Sequence, residues 1–220
     1  MKRQIPADEP PPPAAALRSS ASPQIRNVAT LGGNLLQRPR CWYFRSAEYH
    51  CLRKGGGHCF AISGENQYHA IFDNRPCAIV HPSTVATVLV ALGAEVELTD
   101  AHGATHNLLL EDFFVPPDRD LQRENDLKPQ EILTAVTLPP VPSGVRMVHL
   151  KQGEKDSFDW PLADVAVVLD LSADGTCKSA DIVLGAAALE GATPLARNAY
   201  KLPLFETLIR RTILAATASG

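Results

Sequence analysis

Four of the five cysteines in this chain of 220 residues lie between positions 41 and 77, and this segment constrains the fold more than any other. It shows neither the alternation of a strand nor the helical period of about 3.6 residues. An irregular stretch of this length is uncommon inside a compact domain unless something within it fixes the backbone. The side chains that could do so are Cys41, Cys51, Cys59 and Cys77.

The spacing of these cysteines does not by itself identify a ligand. The gaps between successive cysteines are nine, seven and seventeen residues. Structural zinc sites usually take ligands from pairs roughly two to four residues apart, and no such pair occurs here. A [4Fe–4S] cluster tolerates irregular spacing if the four thiolates converge. The spacing alone therefore supports three interpretations about equally: an iron–sulfur cluster, a zinc ion and a set of unligated thiols.

Several of the residues around the cysteines are cationic and would favour a negatively charged ligand. The cations in and beside the segment are Arg38, Arg40, Arg45, Arg53, Lys54 and His58. A thiolate-ligated cluster is net negative, so these cations would stabilise it and raise its reduction potential. The glycines at 55–57 would let backbone N–H groups turn towards sulfur. The histidines at 58, 69 and 81 are expected to support the site, because four cysteines suffice as ligands.

A glycine pair upstream is a second candidate binding element. Gly32 and Gly33 are flanked by Thr30 and Asn34, whose side chains can form hydrogen bonds. Glycine allows a tight turn and a close approach of the backbone to a ligand. Taken alone, such a pair is more often a simple turn than a binding site.

Composition and charge exclude several functions. Hydrophobic residues make up 45% of the chain and charged residues 20%, which is typical of a globular protein with a real core. The formal net charge of -3 provides no basic field for nucleic acid or anionic lipid. No run reaches the roughly 18 apolar residues of a membrane span. Without a secretory signal the chain is expected in the cytoplasm, unless a partner carries it to the periplasm, and disulfides are disfavoured.

The remaining pattern predicts the α+β class. Residues 1–22, rich in proline and alanine, predict a flexible tail in which 14–18 could begin a short helix. The elements expected before the proline-rich boundary at 139–144 are a strand at 78–80, a helix at 83–93, a hairpin of 94–99 with 105–110, and a strand at 131–138. Those expected after it are a strand at 145–152, a hairpin of 163–171 with 177–186, and a helix at 202–218 with Leu208 and Leu214 on its apolar side.

Two groups of motifs stand together in this order: SPQIRNVATLGGN, then CWYFR, KGGGHC, GENQYHAIF and CAIVHPS. In combination they resemble the FAD-binding subunits of molybdenum hydroxylases of the xanthine oxidase family, above all the aldehyde oxidoreductase flavoprotein subunits that carry a [4Fe–4S] cluster. The resemblance runs unbroken over residues 21–155 and resumes over 156–220.

The resemblance implies a function for particular residues. The turn that contacts the flavin nucleotide would be Thr30, Gly32, Gly33 and Asn34. The hydrophobic position against the flavin ring would fall at Ile132 or Leu133, and a lysine near that ring would be Lys151. The cluster ligands would be Cys41, Cys51, Cys59 and Cys77, while Cys177 is expected to be a neutral thiol.

The resemblance also implies an architecture and partners. The expected fold is the second subdomain of a PCMH-type FAD-binding domain at 23–140, with the iron–sulfur loop inserted at 41–77, followed by a shortened CO-dehydrogenase-flavoprotein-like domain at 145–220. The expected complex is a heterotrimer with a molybdenum-cofactor large subunit and a [2Fe–2S] small subunit. Substrate chemistry would belong to the large subunit, so no catalytic side chain is expected here.

Three departures from the family pattern bear on FAD. The first subdomain, with its glycine-rich pyrophosphate loop, has no counterpart in the sequence; Thr84 replaces an acidic residue after the HPS motif; and the C-terminal domain is shortened between Gly185 and Gly191. An incomplete cleft predicts weak FAD binding by this chain alone. The alternatives to an electron-transfer subunit are a non-catalytic iron–sulfur or scaffold remnant without flavin, and a product that does not assemble.

Overall fold

Two antiparallel sheets of three strands each form the framework of the molecule. In this computed structural model the described residues are 12–142, 144–155, 159–185 and 192–218. The first sheet contains β1 (Glu95–Asp100), β2 (Thr105–Leu109) and β3 (Glu131–Thr137), in the order β2-β1-β3. The second contains β4 (Val145–Gln152), β5 (Ala163–Leu171) and β6 (Cys177–Gly185), in the order β4-β5-β6.

The helices are mostly short. Those of the described residues are α1 (Pro12–Ser19), α2 (Pro23–Arg26), α3 (Leu31–Leu35), α4 (Trp42–Arg45), α5 (Thr84–Ala91), α6 (Leu110–Phe113) and α7 (Lys201–Ala218). Two 3-10 turns, Leu52–Lys54 and Phe60–Ile62, lie within the cysteine segment. No helix of these residues is long and apolar enough to cross a lipid bilayer.

Helix α5 lies between the two sheets and is buried on nearly every side. Five of its eight residues are β-branched, which lowers intrinsic helix propensity. Its N-terminus is capped by Ser83, whose Oγ accepts a hydrogen bond from the Ala86 N–H at 3.0 Å. The chain leaves it through Gly93, at a positive φ of 65°. Seven of the eight residues are buried, so tertiary packing stabilises this helix.

The layers on either side of α5 follow from strand alternation. On one side, Val85 and Leu89 pack with Val96 and Leu98 of β1. On the other, Val88 packs in a cluster with buried residues of β5 and α1. Alternate residues of β5 face the opposite way, where Val165, Val167 and Leu169 pack against Phe205 and Leu208 of α7. The order of layers is therefore first sheet, α5, second sheet and α7.

A buried polar network ties α5 to the second sheet. Asp164 of β5 is 1% exposed. Its carboxylate accepts a hydrogen bond from Thr87 Oγ1 at 2.9 Å and pairs with His149 Nε2 at 2.5 Å. Because the three side chains come from α5, β5 and β4, the network fixes the position of the helix on the sheet.

Most of the predicted elements downstream of the cysteines are confirmed. The helix beginning after Ser83, both hairpins, and the strands β3 and β4 occur close to their predicted positions. The proline-rich residues 139–142 connect the two sheets, although both sheets share α5.

Four expectations differ from the structure. Residues 12–19 form α1 and not a flexible tail, which agrees with the short helix allowed at 14–18, because the small Ala16 packs fully buried against α5. The strand predicted at 78–80 is absent from the described residues, since its Ala78 carbonyl accepts one hydrogen bond from the Ala70 N–H at 3.0 Å but no strand ladder forms. Residue 110 begins α6. In α7, Leu214 is exposed, whereas Thr212 and Ala216 lie on the buried face. Residues 1–11 and the predicted deletion after Gly185 lie outside the described residues.

We expect Thr87→Val to destabilise the fold, because it leaves the buried Asp164 carboxylate without one of its donors. The free energy of unfolding should fall by about 1–3 kcal/mol, measured by urea titration. Thr99→Val is the matched control, since its hydroxyl shares an exposed hydrogen bond with Thr134, and its effect should stay within about 0.5 kcal/mol. Equal losses of unfolding free energy in the two variants would show that the buried Asp164 network stabilises the fold no more than an exposed hydrogen bond does.

Candidate functional site: a four-cysteine cavity beside two clefts

The four cysteines of the 41–77 segment line one cavity. Cys41, Cys51 and Cys59 each directly precede a short helical turn, and Cys77 also lines the cavity. Tyr43, Phe44 and Phe60 complete much of the wall. The structure therefore brings together all four side chains that the sequence singled out, and we name this space the cysteine cavity.

Close backbone contacts shape the loop around this cavity. A Cβ on Gly56 would lie 1.8 Å from the carbonyl oxygen of His50, so only glycine fits there. A Cβ on Gly64 would lie 2.3 Å from the hydroxyl of Tyr43, which accepts a hydrogen bond from the Glu65 N–H at 2.7 Å. These approaches allow three turns to place their cysteines around one space.

Hydrogen bonds and burial set the charge preference of the sulfurs. Burial raises the pKa of Cys41, against the influence of the Phe44 and Tyr43 N–H groups nearby. The hydrogen bond that Cys59 and Cys77 share lowers the pKa of Cys59 and raises that of Cys77. The N–H groups that favour the thiolates of Cys41, Cys59 and Cys77 belong to residues just after one of these cysteines, and not to the predicted glycines at 55–57.

One predicted cation, Arg53, reaches the cavity. Its side chain is 1% exposed and bonds through Nη2 to Glu124 at 3.0 Å and to the carbonyl of Arg123 at 2.8 Å. Its Nε and Nη1 have no hydrogen-bond partner among the described residues. Buried guanidinium donors without acceptors lower the stability of the fold, so an anionic group bound in this part of the site would be stabilised by Arg53.

The other predicted cations serve different contacts. Arg45 donates to the carbonyls of Pro39 and Arg38, and Lys54 donates to the carbonyl of Ser46 at 2.6 Å. Arg38 pairs with Glu124 at 3.1 Å. These side chains fold the loop and do not line the cavity.

The donor geometry bears on the kind of metal group. In the described ranges, no three His, Cys, Asp or Glu side chains converge closely enough to ligate a single metal ion. A cube of iron and sulfur is bonded at four separate corners, so its thiolates surround a space and do not meet at one point. The cavity is small, about 10 Å³, and Cys59 and Cys77 are hydrogen-bonded to each other. The features that favour a cluster over a zinc ion are therefore the all-cysteine donor set and the unpartnered Arg53 donors.

A second predicted set lies in an open cleft of about 760 Å³. Thr30, Gly33, Asn34 and Lys151 all line it, and we name it the glycine-turn cleft. Thr30 Oγ1 accepts a hydrogen bond from the Gly33 N–H at 3.0 Å, and a Cβ on Gly33 would lie 3.1 Å from that oxygen. Asn34 is held by Ser83, whose hydroxyl contacts its Oδ1 at 2.6 Å.

Lys151 enters this cleft from the second sheet. It is half-buried, and its Nζ donates to the carbonyl of Ser19 at 2.9 Å. Burial lowers the pKa of this ammonium group, against the opposing influence of Asp164 and Asp159. Thr84, the residue in place of the expected acid, also lines the cleft.

Three predicted residues lie elsewhere. A Cβ on Gly32 would point at the side chain of Leu133, which packs against the first core. Ile132 is 64% exposed. Neither Ile132 nor Leu133 lines the glycine-turn cleft.

A third space joins the first two. This central cleft, of about 400 Å³, shares Cys41, His69 and Ile79 with the cysteine cavity. It shares Arg40, Pro82, Asp159 and Trp160 with the glycine-turn cleft. Sequence reasoning missed Trp160 and Asp159, since no motif marks them and only the fold brings them beside the cysteine segment.

The C-terminal residues hold the cysteine loop. Asn198 is fully buried and donates its amide to the carbonyls of His69 at 3.2 Å and Ala70 at 3.1 Å. Lys201 Nζ donates to the same His69 carbonyl at 3.1 Å. Further bonds run from Thr193 N to Ile71 O, from Arg197 N to Asn66 Oδ1 and from Tyr200 OH to Gln67 O. We call these contacts the C-terminal clamp.

Comparison with known proteins identifies the class to which this fold and these clefts belong. Residues 1–141 match the family described as the FAD binding domain in molybdopterin dehydrogenase. The chain belongs to that family, as its motifs indicated.

Particular relatives support the same assignment. The chain is 34% identical over 226 aligned residues to the aldehyde oxidoreductase FAD-binding subunit PaoB of Escherichia coli K12, with 93% of this chain and 71% of that protein covered.

Among solved structures, the reconstituted CO dehydrogenase from Oligotropha carboxidovorans matches with a TM-score of 0.60 at 20% identity, over 92% of this chain and 66% of that one. A CO dehydrogenase from Hydrogenophaga pseudoflava that lacks the Mo-pyranopterin moiety also gives a TM-score of 0.60, at 18% identity, over 94% of this chain and 67% of that one. The predicted fold, a PCMH-type domain followed by a CO-dehydrogenase-flavoprotein-like domain, is confirmed.

We expect Gly56→Ala to disrupt the cysteine loop, because the new methyl group would overlap the His50 carbonyl. Tryptic cleavage within residues 41–77 should accelerate, and the free energy of unfolding should fall by about 2 kcal/mol or more. Gly57→Ala is the matched control, since nothing lies within 4 Å of its added Cβ. Similar cleavage rates in the two variants would contradict the role given to Gly56.

Proposed function

We propose that this chain is the electron-transfer subunit of a molybdenum-dependent oxidoreductase that acts on aldehydes or N-heterocycles, and that it holds FAD and a [4Fe–4S] cluster. The observation that carries the proposal is the continuity of the three spaces. The central cleft shares walls with the cysteine cavity on one side and with the glycine-turn cleft on the other. A cluster in the cysteine cavity and a flavin nucleotide in the glycine-turn cleft would therefore lie next to each other in one chain.

The cysteine cavity fits a cluster in its donors and in its electrostatics. Cys41, Cys51, Cys59 and Cys77 would supply the four thiolates. The partnerless Nε and Nη1 of Arg53 would face the negative charge of a thiolate-ligated cluster. When bound, such a cluster accepts and releases one electron at a time, and the protein sets the potential through hydrogen bonds, charge and burial.

The glycine-turn cleft fits part of a flavin nucleotide. Its volume falls within the range of roughly 300–1,000 Å³ typical of small-molecule sites. Thr30, Gly33 and Asn34 present a closely packed turn, and Lys151 adds a cation. When bound, FAD supplies the chemistry that links two-electron and one-electron transfer, while the protein provides binding and orientation.

The position of Lys151 suggests its role toward such a ligand. A half-buried ammonium group interacts with an anionic or carbonyl oxygen more strongly than an exposed one, because water screens it less. It would therefore orient an electron-rich part of the nucleotide. Trp160, stacked against the Arg40 guanidinium at 4.7 Å, offers an aromatic surface at the junction of the two clefts.

The partners are inferred from the relatives. The E. coli relative is an FAD-binding subunit of an aldehyde oxidoreductase, and the solved relatives are chains of CO dehydrogenases. We infer a heterotrimer with a molybdenum-cofactor large subunit, where the substrate is oxidised, and a [2Fe–2S] small subunit. A cytoplasmic location, or export together with such a partner, stays a prediction.

Anaerobic reconstitution with iron and sulfide tests the cluster. The purified chain should take up about four irons and four sulfides, and reduction should produce an EPR signal. Cys77→Ser should lose most of this iron, whereas Cys177→Ser, at an exposed cysteine of β6, should retain it. Uptake of a single zinc ion, or iron content unaffected by Cys77→Ser, would contradict the proposal.

Titration with FAD, followed by quenching of flavin fluorescence, tests the glycine-turn cleft. Lys151→Gln should weaken binding by about tenfold, because it removes a charge-assisted hydrogen bond. Lys178→Gln removes an exposed lysine of β6 and should leave the Kd unchanged. A wild-type chain that binds the cluster but quenches no flavin would support the alternative function, an iron–sulfur or scaffold protein without flavin.

A further inference from the structure

His69 lies between the cysteine cavity and the C-terminal clamp. Its Nε2 is 3.1 Å from Cys41 Sγ, and its Nδ1 has no hydrogen-bond partner among the described residues. A Cys41 thiolate that ligates a cluster carries no proton, so with the cluster bound this contact would place the N–H on His69 Nε2. The Trp42 ring packs edge-on against the imidazole, with centroids 5.3 Å apart, and helps to fix this orientation.

Lys201 is an unusual residue for its position. It begins α7 and is fully buried, although a cation is disfavoured at a helix N-terminus. Its Nζ donates to the His69 carbonyl, and no carboxylate of the described residues lies within salt-bridge distance. Burial lowers its pKa to about 8, so the group is still mostly charged at neutral pH.

A buried charge without a partner lowers the stability of the fold unless a group of opposite charge lies nearby. His69 links this cation to the cysteine cavity, because its carbonyl accepts from Lys201 Nζ and its ring contacts Cys41, where the proposed function places an anionic cluster. Each electron added to that cluster adds negative charge, which a fixed cation nearby stabilises. An uncharged donor is enough to hold the His69 carbonyl, because the Asn198 amide already donates to it. The positive charge of Lys201 is therefore not needed for the hydrogen bond itself.

We propose that His69 and Lys201 are positioning residues that raise the reduction potential of the cluster from the Cys41 side. His69 donates to the ligand sulfur, and Lys201 supplies a buried positive charge and holds the His69 backbone. The inference rests on the proposed function, because it requires the cluster. Through Lys201, the C-terminal helix α7 would then help to set the reduction potential of a cluster in the cysteine loop.

Redox titration of the reconstituted full chain, monitored by EPR with dithionite as reductant, tests this proposal. In Lys201→Met, the equilibrium constant for reduction should fall about tenfold, equal to a shift of about 59 mV for a one-electron couple. Lys178→Met removes a surface lysine and should leave the potential unchanged. A Lys201→Met protein with full iron content and the wild-type potential would show that Lys201 only holds the loop.

His69 variants provide the second measurement, which also decides the matter if Lys201→Met does not fold. His69→Leu should lower the potential and alter the EPR g-values, because the sulfur loses its donor. His69→Gln keeps an N–H donor and should restore most of both properties. Equal potentials in the leucine and glutamine variants, or loss of iron from both, would overturn the inference. A wild-type chain without iron would instead overturn the proposed function.

Discussion

The burial of α5 between the two sheets is the interaction on which the rest of the structure depends. A short helix with so many β-branched residues has little stability of its own. It forms because both of its sides are covered, by β1 and by β5 and β6. The same helix is capped by Ser83, which also holds Asn34. The core of the molecule and the geometry of the glycine-turn cleft therefore share one anchor.

The cysteine loop is stabilised differently. Its own apolar cluster is small, with Tyr43, Ala61 and Ala78 as its buried members among the described residues. Short turns, close glycine contacts and hydrogen bonds from the C-terminal clamp fix its backbone, since it contains no strand among the described residues. Such a loop depends on polar contacts made by distant parts of the chain, and a bound cluster would add covalent links among its turns.

Much of the fold could be predicted from the sequence, because local signals were strong. Ser83 and Gly93 mark the ends of α5, and the Asp174-Gly175 turn marks the second hairpin. The family motifs indicated Thr30, Gly33, Asn34 and Lys151 together, and the structure places these four in one cleft. A motif cannot show which face of a strand a residue occupies, so the sequence named Ile132 and Leu133 as a pair, and their role toward the flavin ring stays a prediction. The burial of α1 was missed because alanines pack only where a partner surface exists.

The C-terminal clamp has a consequence for how the protein matures. A polypeptide leaves the ribosome from its N-terminus, so residues 66–71 emerge long before Asn198 and Lys201 can reach their carbonyls. Until then this part of the loop lacks its main hydrogen-bond donors and stays open to solvent. In the proposed function, iron and sulfide would reach the four thiols before this closure, and packing of α7 against the loop would then bury the His69 side of the site.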